Sequence, residues 1–276
     1  MTKDELFKCI RKKSSFLCVG LDSDINQIPS FLKKERDPLF EFNKRIVSAT
    51  KDYAVAYKLN LAFYEVLKDK GIASLEKTVD FIRINYPGLF LIADAKRGDI
   101  GNSSKFYAKA YLKEMDFDAI TVSPYMGLDS LVPFFQFDGK WVIILALTSN
   151  SGSHDFQLRK DTNGIMLFEE ILQRAKELGS EENTMFVIGA TNSQQIENVR
   201  KIVPDNFLLV PGIGAQGGSL DEVVKFGMND YCGLLINSSR NIIYADTSNL
   251  FDIAAHEAAR QVKVEMEATL VKKFPS

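Results

Sequence analysis

Two clusters of residues in this sequence have types and spacings that could do chemistry. The first is Asp94-Ala95-Lys96-Arg97-Gly98-Asp99-Ile100-Gly101, which follows directly on the apolar run Leu89–Ala93. If a strand there continues through Lys96, period-two alternation turns Asp94 and Lys96 to the same side. Asp22 and Lys58 end two earlier apolar runs, so two lysines and two carboxylates are candidates to converge. Buried charges without partners are costly, and such a group must therefore alternate in sign. A lysine between carboxylates keeps its proton, and can donate it to a substrate or stabilise negative charge forming there. At an effective dielectric of 20, one unit pair about 4 Å apart interacts by roughly 4 kcal/mol, enough to matter to a barrier. The alternative is an ion-pair network that only holds the rim of the fold together.

The second cluster is Pro211-Gly212-Ile213-Gly214-Ala215-Gln216-Gly217-Gly218, which follows the apolar run Phe207–Val210 and precedes a helical pattern. Glycines let backbone N–H groups approach an anion, and the start of a helix favours negative charge. After the next apolar run, Asn237-Ser238-Ser239-Arg240 offers a guanidinium fork to the same anion. The two segments read as a phosphate site, against the alternative of a glycine-rich turn with no ligand. Residues 212–217 also fit GxGxxG, but that fingerprint opens a Rossmann domain, and only 59 residues follow Gly217.

These clusters need a scaffold, and the rest of the chain supplies an alternating one. Strands are expected at Phe16–Leu21, Ala54–Leu59, Leu89–Ala93, Ala119–Val122, Trp141–Leu147, Met185–Ile188, Phe207–Val210 and Tyr231–Ile236. Helical periodicity fills the gaps: after Asp37-Pro38, then Ser74–Asn85, Ser103–Met115, Ile165–Leu178, Ser193–Ile202, Leu220–Phe226 and Phe251–Leu270, with a shorter piece at Leu128–Phe135. Eight nearly continuous apolar strands alternating with helices are the count of a (β/α)₈ TIM barrel, although an open doubly wound α/β sheet would alternate too. No linker, repeat or shift of composition divides residues 1–276, so one domain is expected. A barrel builds its active site from the loops after its strands, where both clusters lie. The long polar segment Thr148–Gly164 reads as a lid over substrate or as an ordinary mobile surface loop.

Composition narrows the function classes. A net charge of −2 gives no footprint for nucleic acid or an anionic membrane, and no apolar run is long enough to span a bilayer. Three separated cysteines, Cys9, Cys18 and Cys232, suggest neither a disulfide framework nor a zinc site and fit a reducing cytoplasm. Thr2 and Glu5 stand in capping-box positions, and no hydrophobic leader follows. Cys18 and Cys232 fall in expected strands and read as small core residues. His154 and His256 read as surface or packing residues, and Trp141 as packing.

The octapeptide at 94–101 resembles the signature of the orotidine 5′-phosphate decarboxylase family, especially its longer bacterial branch. Val19-Gly20-Leu21-Asp22, Tyr57-Lys58-Leu59-Asn60, Pro211–Gly218 and Arg240 follow the family's order over essentially the whole chain. The resemblance implies loss of CO₂ from orotidine 5′-monophosphate without metal or organic cofactor. By the same resemblance Lys96 protonates C6, Asp94 sits beside the departing carboxylate, Lys58 bridges the carboxylates, and Asp22 binds the ribose. Gln216 and Arg240 match the phosphate-gripping positions. Ser149 matches the serine that reads the pyrimidine, with Ser123 as the alternative. Asp99 and Ile100 match residues that reach into a partner's site, which implies a homodimer. Related sugar-phosphate barrels share Asp-x-Lys-x-x-Asp but use a magnesium-stabilised enediolate, and indifference to chelator would separate the two. A silent phosphate-binding barrel is the non-enzymatic alternative, and saturable binding without turnover would reveal it.

Overall fold

A computed structural model describes residues 1–213 and 218–275. Eight parallel strands close into a barrel in chain order: β1 Leu17–Gly20, β2 Ala54–Asn60, β3 Phe90–Arg97, β4 Ala119–Val122, β5 Trp141–Leu147, β6 Thr184–Ile188, β7 Phe207–Pro211 and β8 Leu234–Ser238. The fold is the expected (β/α)₈ barrel. The seam is closed by β8 on β1, with Leu17 opposite Ile236, Cys18 opposite Asn237 and Val19 opposite Ser238. Two side chains fasten the seam above this ladder: Ser239 Oγ donates to Gly20 O (2.9 Å) and Tyr244 Oη to Asp22 O (3.2 Å).

The strands are buried nearly throughout because helices cover the barrel's outer face, which is why they read as continuous apolar runs. Trp141 plugs the barrel's lower end as packing, edge-on to Phe90 and Phe207, while its indole donates to Met1 O. The helix Lys3–Lys13 starts with the expected capping box: Thr2 N donates to Glu5 Oε2 (2.7 Å), and Glu5 N to Thr2 Oγ1 (3.2 Å). Asp37 caps the helix Pro38–Thr50 by accepting from Phe40 N. Phe42 of that helix stacks on Phe251 of the closing helix, Phe251–Lys273.

Several boundaries differ from the expectation, each for a local reason. The helix expected at Ser74 begins at Lys68. Gly71, which weakens the sequence signal, is needed because a Cβ there would lie 1.8 Å from Tyr64 O in the short helix Ala62–Glu65. The last strand begins at Leu234 rather than Tyr231, because Cys232 and Gly233 both turn with φ of 65°. Cys232 is therefore buried in a turn and not in a strand. Ser103–Met115 divides into the helix Gly101–Ala108 and a widened π-type turn at Lys109–Glu114. Leu128–Phe135 forms two 3₁₀ turns, Leu128–Ser130 and Val132–Gln136. Arg240–Ile243 forms a single helical turn. No helix among the described residues is long and apolar enough to cross a membrane.

Candidate active site

The C-terminal ends of the strands surround a cavity of about 330 Å³. Its walls differ sharply in character. Asp22 follows β1, Lys58 and Asn60 come from β2, and Asp94 and Lys96 from β3, so one side is charged. Leu145 of β5, Val187 of β6 and Leu209 of β7 form an apolar side across the barrel. Between them, next to the seam, lie Gly212 and Ile213 after β7 and Asn237–Asn241 from β8 onward.

The charged side is a chain of alternating sign. Lys58 Nζ donates to Asp94 Oδ2 at 2.8 Å and to Asp22 Oδ1 at 3.4 Å, while Lys96 Nζ reaches Asp94 Oδ1 at 2.5 Å. Burial opposes ionisation of Lys58, but Asp94 and then Asp22 outweigh it and shift the ammonium upward. Burial likewise opposes the Asp94 carboxylate, yet Lys58 and Lys96 hold it well below the usual carboxylate range. Both groups are therefore charged at neutral pH. Lys58 and Asp94 are buried, whereas the Lys96 side chain is half exposed and borders the cavity. Of the two lysines, Lys96 is thus the one whose ammonium is open to a ligand, and Lys58 the one held between the carboxylates.

Simple alternation is not how Asp94 and Lys96 come together. The pairing of β3 with β4 steps from Ala93 opposite Ile120 to Arg97 opposite Val122, so three residues bulge against one, Thr121. Lys96 sits in this bulge at φ of 50°, a left-handed conformation that a non-glycine residue adopts only when its surroundings enforce it. Its N–H donates to Thr121 Oγ1 (2.9 Å), and Thr121 Oγ1 donates to Asp94 Oδ1 (3.1 Å). Thr121 escaped the sequence reading, although a polar residue inside a four-residue buried strand was the available signal. Beyond the bulge Arg97 points away from the cavity to Glu65 and Tyr111.

The remaining expected residues divide. Ser149 lines the cavity, while Ser123 lies beside Gly98 and outside the cavity wall. Gly189 lets β6 pass Ser149 closely, since a Cβ there would come within 2.5 Å of Ser149 N. Arg240 lines the cavity next to the seam. Gln216 lies outside the described residues. Asp99 and Ile100 do not line this chain's cavity; Asp99 Oδ1 accepts from Ile100 N (2.7 Å), and the Ile100 side chain is exposed. His154 and His256 also stand away from it, His256 packing edge-on against Tyr53. The segment after β5 folds back on itself: Gln157 Oε1 accepts from Thr148 N (2.8 Å), and a 3₁₀ turn spans Ser151–Asp155. The sequence reading also missed the apolar wall, because Leu145, Val187 and Leu209 look like any other strand residues.

Fold and site together define a (β/α)₈-barrel enzyme with a lysine–aspartate array at its mouth. Residues 15–249 match the Orotidine 5'-phosphate decarboxylase / HUMPS family, and the chain belongs to that family. It is 59% identical over 267 residues to the orotidine 5'-phosphate decarboxylase of Phocaeicola vulgatus, which covers 97% of this chain and 98% of that one. The corresponding protein of Flavobacterium johnsoniae is 53% identical over 274 residues, covering 99% of this chain and all of the other. Among solved structures, the OMP decarboxylase of Leishmania donovani matches with a TM-score of 0.82 at 35% identity, over 98% of this chain and 99% of that one.

Proposed function

We propose that this chain converts orotidine 5′-monophosphate to uridine 5′-monophosphate and CO₂, the last step of de novo pyrimidine nucleotide synthesis, without metal or organic cofactor. The observation that carries this reading is the Lys58–Asp94–Lys96 chain, with its outermost ammonium bordering a cavity whose far wall is apolar. The bond from C6 to the carboxylate breaks, CO₂ departs, and the electron pair stays on C6. Lys96 stabilises that pair and then gives C6 a proton. Asp94 lies beside the departing carboxylate, and Lys58 holds Asp94 and Asp22 in place. Asp22 takes the ribose, Ser149 the pyrimidine, and Gln216 and Arg240 the phosphate.

Enzymes commonly lower their barriers by about 8–23 kcal/mol, up to several times what one ammonium contact supplies. Grip on the remote phosphate must therefore also be spent on organising the reacting end. The molecule works as a single-domain barrel in the cytoplasm and as a homodimer, with Asp99 and Ile100 completing the partner's site. Ile100, Phe106, Tyr107, Tyr125, Met126 and Val132 are all exposed on the segments that follow β3 and β4, where the helix Gly101–Ala108 packs on the turns Leu128–Ser130 and Val132–Gln136, which supports a protein contact there.

The test is the ultraviolet absorbance of orotidine 5′-monophosphate mixed with purified protein and excess chelator. A spectral change to the uridine nucleotide with matching CO₂ release is expected, and its loss in folded Lys96→Ala protein. No change with folded wild-type protein would refute the reading. Turnover that needs magnesium and a sugar phosphate would move the chain to the enediolate branch.

A further inference from the structure

We infer that Thr121 is a positioning residue for the proton donor, fixing both ends of Lys96 to one point of the array; this rests on the decarboxylase reading of the site. The geometry is a closed ring. The Lys96 N–H donates to Thr121 Oγ1 at 2.9 Å, Thr121 Oγ1 donates to Asp94 Oδ1 at 3.1 Å, and the same Oδ1 accepts Lys96 Nζ at 2.5 Å. The hydroxyl has a single proton, and its oxygen is already accepting from the Lys96 amide. An ionised Asp94, having no proton to give, fixes the direction of the second bond.

The ring explains how the bulge persists. The amide of Lys96 has left the regular β3–β4 ladder and would otherwise be an unsatisfied donor beside a buried strand. Thr121 is buried and supplies the acceptor, so the left-handed backbone at Lys96 costs no hydrogen bond. Without the hydroxyl, the Lys96 backbone can relax toward an ordinary strand conformation. An ordinary strand would carry the Lys96 side chain to another angle over the cavity. If Thr121 merely filled space in β4, and its hydroxyl held nothing, valine, of nearly the same shape and high strand propensity, would replace it without loss.

The variants Thr121→Val and Thr121→Ser separate these roles. Displacing a catalytic group by about 1 Å can cost roughly 10²-fold in rate. Thr121→Val is expected to lower kcat by about 10- to 100-fold on orotidine 5′-monophosphate, with KM within about 3-fold of wild type. Thr121→Ser, which keeps the hydroxyl, should stay within about 3-fold of wild type in both constants. Hydrogen exchange at the Lys96 amide gives a reading independent of substrate: protected in wild type and Thr121→Ser, unprotected in Thr121→Val. Wild-type kcat in Thr121→Val, or an equal loss in both variants, would overturn the inference. So would a fall in kcat and rise in KM together with a lower unfolding midpoint. If wild type does not decarboxylate the nucleotide, the functional reading fails instead. The amide then decides: equal exchange in all three proteins overturns the positioning role. Should Thr121→Val not fold, Thr121→Ala removes the same hydroxyl without adding bulk.

Discussion

Replacing Lys58 by methionine keeps the length of the side chain and removes the charge from the centre of the array. Lys58 Nζ is 2.8 Å from Asp94 and 3.4 Å from Asp22. At an effective dielectric of 20 these contacts are worth about 6 and about 5 kcal/mol before desolvation. Most of that gross attraction is offset by the cost of taking the ions out of water. Removing one partner of a buried pair typically costs about 3–5 kcal/mol. Asp94 keeps Lys96 and Thr121, and Asp22 is partly exposed, so the lower end applies: about 3 kcal/mol, or roughly 5–10 °C in Tm. The pH dependence has a definite sign. In the wild type, burial opposes ionisation of Asp94, but Lys58 and Lys96 more than compensate and depress it. Its ionised form therefore stabilises the fold above the ordinary carboxylate pKa of about 3.9, and this is lost as pH falls further. In Lys58→Met, burial is opposed only by Lys96 and the Thr121 hydroxyl, so Asp94 takes up a proton at higher pH. The gap between variant and wild type should be widest at pH 7 and shrink as pH falls toward about 4. Thermal unfolding of both proteins at the two pH values checks this. A deficit of equal size at both, or none, would refute the account of the array as a mutually charged chain.

Three further outcomes are expected. Arg240→Ala should lower kcat/KM for a phosphorylated substrate by about 10- to 100-fold, with kcat falling as well as KM rising, as steady-state kinetics will show, since one charge-assisted hydrogen bond contributes about 1.5–3 kcal/mol. Gly189→Ala places a Cβ 2.5 Å from Ser149 N and should lower kcat/KM by about 10-fold while the far-ultraviolet circular dichroism is unchanged. Arg200 donates to the main-chain oxygens of Gly227, Val203, Pro204, Asn206 and Gly233, far from the cavity. Arg200→Gln should cost about 2–4 kcal/mol in urea unfolding and leave the kinetic constants near wild type.

The barrel and most of the charged wall were legible in the sequence because both follow from short-range pattern. Buried parallel strands are apolar throughout, and a polar residue that ends such a run must surface at the mouth. Asp22, Lys58 and Asp94 fall there for that reason. What pattern could not give was the way Lys96 joins them. The bulge opposite Thr121 depends on a cross-strand hydroxyl 25 positions further along the chain, and alternation alone predicts a straight strand. Cys232 was misplaced for a related reason. Its side chain is apolar enough for a strand, and only the left-handed pair Cys232-Gly233 shows that the chain is still turning. The apolar wall had no local signature, since membership of it depends only on which strands stand opposite β1–β3.

The seam between β8 and β1 has a consequence for how the molecule comes into being. The charged wall is encoded within the first 97 residues, whereas Arg240 and the glycine segment lie near the other end of the chain. A ligand spanning both therefore clasps the ring shut, and it has nothing to hold until β8 has docked on β1. A nascent or clipped chain that ends before residue 240 carries the whole lysine–aspartate array and lacks the Arg240 guanidinium that lines the cavity on the other side of the seam. Once the ring is closed, ligand at 100 times its Kd adds about 2.7 kcal/mol against reopening. Occupancy should accordingly slow amide exchange first along the three-residue ladder from Leu17 to Val19, and make a saturated enzyme harder for a protease to enter at the joint between its two ends.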